Sequence, residues 1–474
     1  MRLISVSFFI CLTLLLHCNS SFIRSAIPPP QPAVTPQKTG IPAETVKQPA
    51  PEEIDFGDAF SGGDSSEILP ADTGMLPAIS KEQRFFTVPS KKVRIALSRN
   101  VTGSVFYSVG NVSVHSRKGQ KLQGASFRGR CVVTSGRKGK TVRISAGRMT
   151  VDAQLPCTLT SQSEYNYIEF DDVTYRGAVL LTAGTKGRFT VVNFLDVEEY
   201  LRGVVPLEIG RRPREEMEAL KAQAVAARTY TYRRIIERRK ESYDMVPTVA
   251  DQVYGGSGVE NRDSDFAVKA TENVIMTFGD SVIYAYYHST CGGVTADVNE
   301  AWGKPPQSYL RSVSDLDATG EAYCRSSKYF TWEERWPWKQ FSSICIASLK
   351  KMYPQKQFRG VVNSCTVKER FPCGRVKKLL FTGSGWAHEC GGDATRFIMR
   401  RGVKGHPILR SANFTIDASQ KHQITVRGRG YGHGVGMCQM GAIGRAQAGQ
   451  QYTAILRAYY PGIAIVSVTT VEDN

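Results

Sequence analysis

Residues 428–444 read Gly-Arg-Gly-Tyr-Gly-His-Gly-Val-Gly-Met-Cys-Gln-Met-Gly-Ala-Ile-Gly, and eight glycines fall between Gly428 and Gly449. Glycine alone enters positive φ freely and lets one backbone approach another closely. Among these glycines stand one imidazole, His433, one phenol, Tyr431, and one amide, Gln439. So much glycine around so few functional side chains points to a tight surface that receives a ligand. Two other readings stand beside it. Gly-x-Gly runs also cradle phosphates, but no Gly-Lys-Ser/Thr follows and no ribose-binding acid can be placed after a strand–turn–helix. A glycine-rich turn can also serve only to let two elements pack.

The N-terminus begins with Arg2 and runs apolar from Leu3 to Leu16, the length of a signal-peptide core and too short for a flanked membrane span. Residues 1–22 are therefore expected to be a secretory signal, with the protein exported to the periplasm or cell envelope. Leu15-Leu16-His17-Cys18 has the outline of a lipoprotein cleavage site, although His17 stands where a small residue belongs. A lipid on Cys18 is the one membrane attachment the sequence offers. Residues 23–83 are rich in Pro, Ser, Gly and acid, lack apolar periodicity and read as a disordered linker. Through residue 83 the chain carries five basic and nine acidic side chains; of the total of +18, the remainder therefore holds +22. A basic exported domain suits an anionic or carboxylate-bearing partner. Cell-wall glycan and lipid head groups qualify; nucleic acid is set aside, because export removes the protein from it and no base-reading motif is present.

Cys11 and Cys18 fall in the signal, leaving nine cysteines at 131, 157, 291, 324, 345, 365, 373, 390 and 438. An exported chain of this kind is expected to hold disulfides, and an odd number leaves at least one thiol free, metal-bound or bridged elsewhere.

The fold class reads as α+β. Residues 84–187 are strand-prone, with short β-favouring runs at Val93–Leu97, Val105–Tyr107 and Val112–Val114 and glycines at turn-like intervals. Arg188–Leu195 is a further strand, opening a mixed α/β core over 188–474. Pro213 then precedes Glu215, Glu216 and Glu218, acids suited to a helix N-terminus. Met217, Leu220, Ala224, Thr231 and Ile235 follow on one face of a 3.6-residue helix. Arg228 shares that face, either tying down carbonyls or aimed into a cleft. Val274–Phe278 and Val282–Tyr287 read as strands. Residues 320–400, with five cysteines and four tryptophans, read as a Cys-rich excursion from the core.

Seven stretches, taken in order, resemble one family. They are Glu199–Glu208, Glu218–Tyr230, Asp251–Gly255, Tyr287–Thr295, Tyr309–Val313, the glycine loop through Gln439, and Tyr459–Gly462. The match is to the stage II sporulation protein D family, which includes the amidase-enhancer proteins. It implies a lytic transglycosylase that cuts the N-acetylmuramic acid–N-acetylglucosamine bond of peptidoglycan, on strands stripped of their stem peptides by an amidase. The implied partners are peptidoglycan glycan strands and a cell-wall amidase. The alternative is a glycan-binding scaffold that recruits or stimulates an amidase without cutting.

Lytic cleavage needs one carboxyl group where hydrolysis usually takes two, because the sugar's own primary hydroxyl attacks the anomeric carbon. Glu208 matches the family's catalytic position. Its neighbours Val204, Val205, Leu207 and Ile209 are apolar, so partial desolvation is expected to raise its pKa toward that of a working acid. Arg228 matches a family arginine and is expected to clamp an anionic sugar substituent. Tyr230, Gln252, Tyr254, His288, Ser289, Tyr431, His433 and Gln439 complete the expected glycan-binding set, and Tyr287 is a further candidate for stacking on a sugar. No cofactor is required. A Cys291–Cys324 disulfide is expected, with at least one further bridge in the excursion. The alternatives are zinc at His288 and Cys291, which the resemblance implies could sit there with Cys324 and Cys438 or His433 in reach, and a free thiol.

Overall fold

The computed structural model describes residues 85–470, apart from 117, 137–138, 163–166, 402–406 and 421. The signal, the linker and Cys18 lie outside the described residues. The architecture is α+β and rich in strands.

Between Lys92 and Asp196 the chain forms a ten-stranded sheet in which the neighbours are, from one edge, Lys92–Val101, Phe189–Asp196, Ala178–Ala183, Cys157–Ser161, Gly103–His115, Lys121–Ser135, Thr141–Ala146 and Met149–Gln154. Ile168–Phe170 branches from Gly103–His115 and pairs with Val173–Tyr175. The two-residue period of a strand shows plainly at Val105–Tyr107, where exposed Val105 and Tyr107 flank the buried Phe106.

Phe189–Asp196 delivers the chain to the helical layer. Asp196 caps the helix Val197–Arg202 by accepting the Glu198 amide, and Glu198 and Glu199 sit in its first turn, where the helix dipole favours acid. Gly203 closes that helix, and a short one, Val205–Glu208, follows with Pro206 in its first turn. The long helix Met217–Glu237 then crosses the core. Its burial extends well beyond the single stripe expected from the sequence: Ala222, Gln223, Val225, Ala226, Thr229, Tyr230 and Tyr232 are all buried too. Many of these are small, and small side chains let neighbouring elements approach this helix from several sides.

Val274–Phe278 pairs with Ala464–Thr470, which on its other side pairs in parallel with Phe85–Val88. The expected strand Val282–Tyr287 is broken. Ser281–Val282 pairs with Val274–Phe278, whereas Tyr287–His288 pairs with Met437–Cys438 in a different sheet. A tight turn joins them, with the Tyr286 amide donating to the Tyr284 carbonyl at 2.8 Å. A continuous apolar and aromatic run carries no sign that its two ends serve separate ladders.

A second hydrophobic cluster, from Trp332 to Val426, is separate from the main one and packs on Phe341, Leu349, Leu379, Phe381 and Ile424. It is built from the sheet Thr331–Pro337, Gln423–Arg429, Phe414–Asp417, the sheet Val362–Arg370, Val376–Gly383, Trp386–Cys390, and the helix Trp338–Met352. All nine described cysteines carry free thiols, so neither the expected Cys291–Cys324 disulfide nor the expected bridge in the excursion is formed; the sulfurs of Cys291 and Cys324 stand 3.5 Å apart.

Candidate active site

Glu208 ends its short helix, and Gly210, at φ +79°, turns the chain away directly afterwards, a conformation that suits glycine. The carboxylate accepts the Val253 amide at 2.7 Å and lies within hydrogen-bonding reach of the Tyr287 hydroxyl. The residue is half-buried as a whole, and the packing around its carboxyl removes the water there. That burial outweighs the hydrogen bonds to the charged form and pushes the carboxyl up to about 7.

The glycine loop closes one side. Tyr287–His288 and Met437–Cys438 run in parallel, and Thr290 and Tyr431 exchange backbone hydrogen bonds. Gly430, Gly432, Gly434 and Gly436 all have positive φ. At Gly436 the need is steric as well, because a Cβ there would lie 2.0 Å from the Tyr286 carbonyl oxygen. The loop is thus a packed edge in its backbone and a presenting surface in its side chains. Gln439, first residue of the helix Gln439–Gln447, donates to the backbone carbonyl of Glu208 at 2.8 Å and to Gln223 Oε1 at 3.4 Å.

His433 is half-buried, with its ring centroid 4.9 Å from that of Trp302 and 5.5 Å from that of His288. Its Nδ1 accepts the Val435 amide at 3.1 Å. Burial drives its pKa down to about 4, so the ring is neutral at pH 7. His288 is likewise held well below its ordinary value by burial; its Nδ1 faces the Val435 carbonyl at 3.2 Å, and its buried Nε2 has no protein partner. Tyr431 is half-buried, with its ring 4.7 Å from that of Tyr329. The half-buried Ser289 presents its hydroxyl to Thr290 at 3.3 Å.

Other expected contacts with glycan do not survive. Arg228 is completely buried, forms a bidentate pair with Glu198 at 2.6 and 2.7 Å, and donates to Thr271 Oγ1 and the carbonyls of Val268 and Val274. Its guanidinium is fully engaged away from solvent, so it braces the long helix and clamps no sugar. Tyr254 packs between Tyr200 and Tyr175 and donates to Asn193 Oδ1 at 2.9 Å; it is a core residue. Tyr230 is nearly buried and donates to Asp251 at 3.0 Å. Gln252 is fully buried and acts from behind: its Oε1 accepts the Tyr287 hydroxyl at 2.9 Å, and its amide nitrogen reaches Tyr200 and Thr231. The Cys291 thiol faces Asp315, Cys324 and Cys438, a group that excludes His288, so the pairing of His288 with Cys291 as metal ligands is corrected.

Sequence reasoning missed Gln223, whose only signal was an amide inside an alanine-rich helix, and Trp302, which carried none. It also missed Arg375, which reaches in from the second cluster to the carbonyls of Cys291 and Val294 at 3.2 and 3.0 Å.

A family model described as a stage II sporulation protein matches residues 185–278, and one described as a domain of unknown function matches residues 316–436. An uncharacterised protein of Brachyspira hyodysenteriae is 32% identical over 285 residues, covering 60% of this chain and 70% of that protein. Stage II sporulation protein D of Bacillus amyloliquefaciens is 30% identical, covering 58% of this chain and 75% of that protein. The amidase enhancer of Bacillus subtilis is 31% identical over 56% of this chain, but the match spans only 40% of that relative.

Proposed function

This chain belongs to the stage II sporulation protein D family, and from that premise we propose that it is an exported lytic transglycosylase of the cell envelope. It would cleave the N-acetylmuramic acid–N-acetylglucosamine bond of peptidoglycan strands denuded by an amidase. The observation that carries the proposal is the carboxyl of Glu208, raised to about 7 by burial in a residue that is half-buried as a whole. A carboxyl at that value is substantially protonated near neutrality and accepts a proton back readily, which suits one group acting as acid and then as base.

In the proposed reaction Glu208 protonates the bridging oxygen as the bond to the anomeric carbon breaks. The carboxylate so formed takes the proton of the muramyl C6 hydroxyl while that oxygen closes on the anomeric carbon. The products are a 1,6-anhydro-muramyl end and a free sugar hydroxyl, and Glu208 ends protonated, ready for the next cycle. The Val253 amide fixes the carboxylate's orientation and steadies its charged form, the Tyr287 hydroxyl, its proton given to Gln252, stands beside it, and Gln439 holds the backbone beneath it. Neutral His433 with Trp302, and Tyr431 with Tyr329, offer aromatic faces for sugar rings.

One observation favours a second reading: a relative matched over half of this chain is named an amidase enhancer. On that reading the cleft holds glycan without cutting it and serves a cell-wall amidase. Incubating the purified chain with amidase-denuded glycan and assaying anhydro-muramyl ends by mass spectrometry separates the two. Their appearance, and their loss in Glu208→Gln, supports the enzyme; glycan binding without new ends supports the scaffold.

A further inference from the structure

Away from Glu208, the segment 331–429 that builds the second hydrophobic cluster concentrates the positive charge of the chain. It carries nineteen basic and six acidic side chains, a net of +13 out of the total of +18. From Arg335 to Lys368 there are seven basic residues and no acidic one. Within that stretch the helix Trp338–Met352 ends, and a turn leads from it into the strand Val362–Arg370. Around the turn, Lys350, Pro354, Lys356, Gln357, Phe358 and Arg359 line an open recess of about 330 Å³. We propose that this recess binds a phosphate group carried by a phosphodiester-linked polymer of the cell envelope.

The recess has the size of a small-ligand site, and its lining offers three cations and no acid. Two of the cations are held by neutral groups. Lys356 Nζ lies 3.2 Å from Nδ1 of His388, and an ammonium can only donate. His388 is 5% exposed, and burial lowers its pKa to about 4, so at pH 7 the ring is neutral and Nδ1 accepts. The ring proton then sits on Nε2, which is buried and has no protein partner. Tyr353 and Phe358 pack on the ring, with centroids 4.3 and 5.4 Å away. A buried side chain thus braces Lys356 from behind. Arg359 places one arm of its guanidinium on Gln357 Oε1 at 2.8 Å, and its carbonyl accepts the Trp386 indole N–H at 2.8 Å.

Lysine ammoniums are point charges that meet an anion from any direction, which suits a tetrahedral phosphate. The planar fork that suits a carboxylate is half-used here by Gln357. The helix dipole accounts for Lys350, in the last turn with Lys351, but makes no demand on Lys356 or Arg359 beyond the helix. One recess needs far less charge than the whole segment carries. A field of that size gathers a polyanion and speeds its capture, and repeated phosphates gain by engaging in succession. The envelope as the source of the polymer rests on the export proposed above; the phosphate site does not.

The test uses the whole purified chain with poly(glycerol phosphate) as the probe, followed by titration calorimetry. Binding should be clear at low salt, weaken as salt rises, and be displaced by inorganic phosphate. Lys350→Gln, Lys356→Gln and Arg359→Gln together should weaken it by about tenfold, each exposed charge contributing modestly. All three side chains are exposed, so the melting temperature should stay at the parent value. Lys121→Gln, Arg128→Gln and Arg130→Gln, exposed in the ten-stranded sheet, remove the same charge elsewhere and should leave affinity nearly unchanged. An equal loss in both triple variants overturns the site in favour of net charge alone. Polyglutamate bound as tightly as the phosphate polymer, or failure of inorganic phosphate to compete on the unaltered chain, overturns the ligand class. Binding to phosphatidylglycerol vesicles without binding to the soluble polymer overturns the source. Glu208→Gln should bind the polymer as the parent does, so a failure of the cleavage reading leaves this test standing.

Discussion

The side-chain amide of Gln439 donates to the backbone carbonyl of Glu208 at 2.8 Å, across 231 positions of sequence. Through it the helix that follows the glycine loop supports the turn that presents the carboxylate. The two segments are far apart in the chain and are joined by this contact. A carbonyl left unsatisfied where Glu208 turns would loosen the orientation of a side chain whose usefulness depends on direction.

Gln439→Ala should therefore lower kcat more than it raises KM, by about tenfold, while costing about 1 kcal/mol of stability, the ordinary net worth of one hydrogen bond. Steady-state kinetics on denuded glycan, beside a denaturant melt, checks both. A rise in KM alone would place the residue on the substrate instead.

Glu208→Gln should reduce cleavage by about two to four orders of magnitude and leave glycan binding intact. The carboxyl rises from 4.5 in the ordinary case to about 7 in the folded protein. The folded state thus binds more protons than the unfolded one between those values, and its stability falls as pH rises through that window. The glutamine variant, with nothing to ionise, should gain stability relative to the parent between pH 4.5 and 7 and hold the gain above it. Melting curves at pH 4 and pH 8 read this directly. Activity of the parent should decline on the alkaline side with an apparent pKa near 7, as the acid form is lost.

Arg228→Ala should destabilise the protein by about 3–5 kcal/mol, because it strands Glu198 in a partly buried position. Arg228→Lys should also melt early, since an ammonium cannot reproduce the bidentate fork. Below its melting temperature the lysine protein should keep the parent KM. A large KM increase without loss of stability would return Arg228 to the substrate.

His433→Ala and Gly436→Ala probe the loop in different ways. Removing the half-buried ring beside Trp302 should weaken glycan affinity severalfold at a stability cost of about 1 kcal/mol. A methyl group at Gly436 meets the Tyr286 carbonyl and forces positive φ on a residue that resists it, so about 3 kcal/mol or more should be lost. Calorimetry and glycan pull-down on the same preparations distinguish the side chain's role from the backbone's.

The mixed α+β class and the helix after Pro213 were legible because period and charge placement act locally. The depth of that helix was not: alanines read as neutral in a pattern, although they let other elements approach from many sides. Glu208 carried its own environment in sequence, with apolar neighbours on both sides. Arg228 and Tyr254 carried only their identities, and whether a guanidinium or a phenol faces a cleft or a core is decided by partners such as Glu198 and Asn193 that spacing cannot reveal. Cys291, Asp315, Cys324 and Cys438 converge only through the parallel pairing of Tyr287–His288 with Met437–Cys438 and the return of the 315–324 loop. No local interval foretells such a cluster.

Thr331 pairs with Arg429 at the root of the second hydrophobic cluster, and the Gly430 amide contacts the carbonyls of Tyr329 and Phe330. The segment between therefore leaves and rejoins the main body at adjacent points, like a panel on a hinge line, and Arg375 to Cys291 and Val294, with Asp393 to Ala301, latches it shut. The main body has no gap to bridge on its account. The hinge line runs straight into Tyr431 and His433. A partner gripping the panel would have a short lever on the residues proposed to hold the sugar.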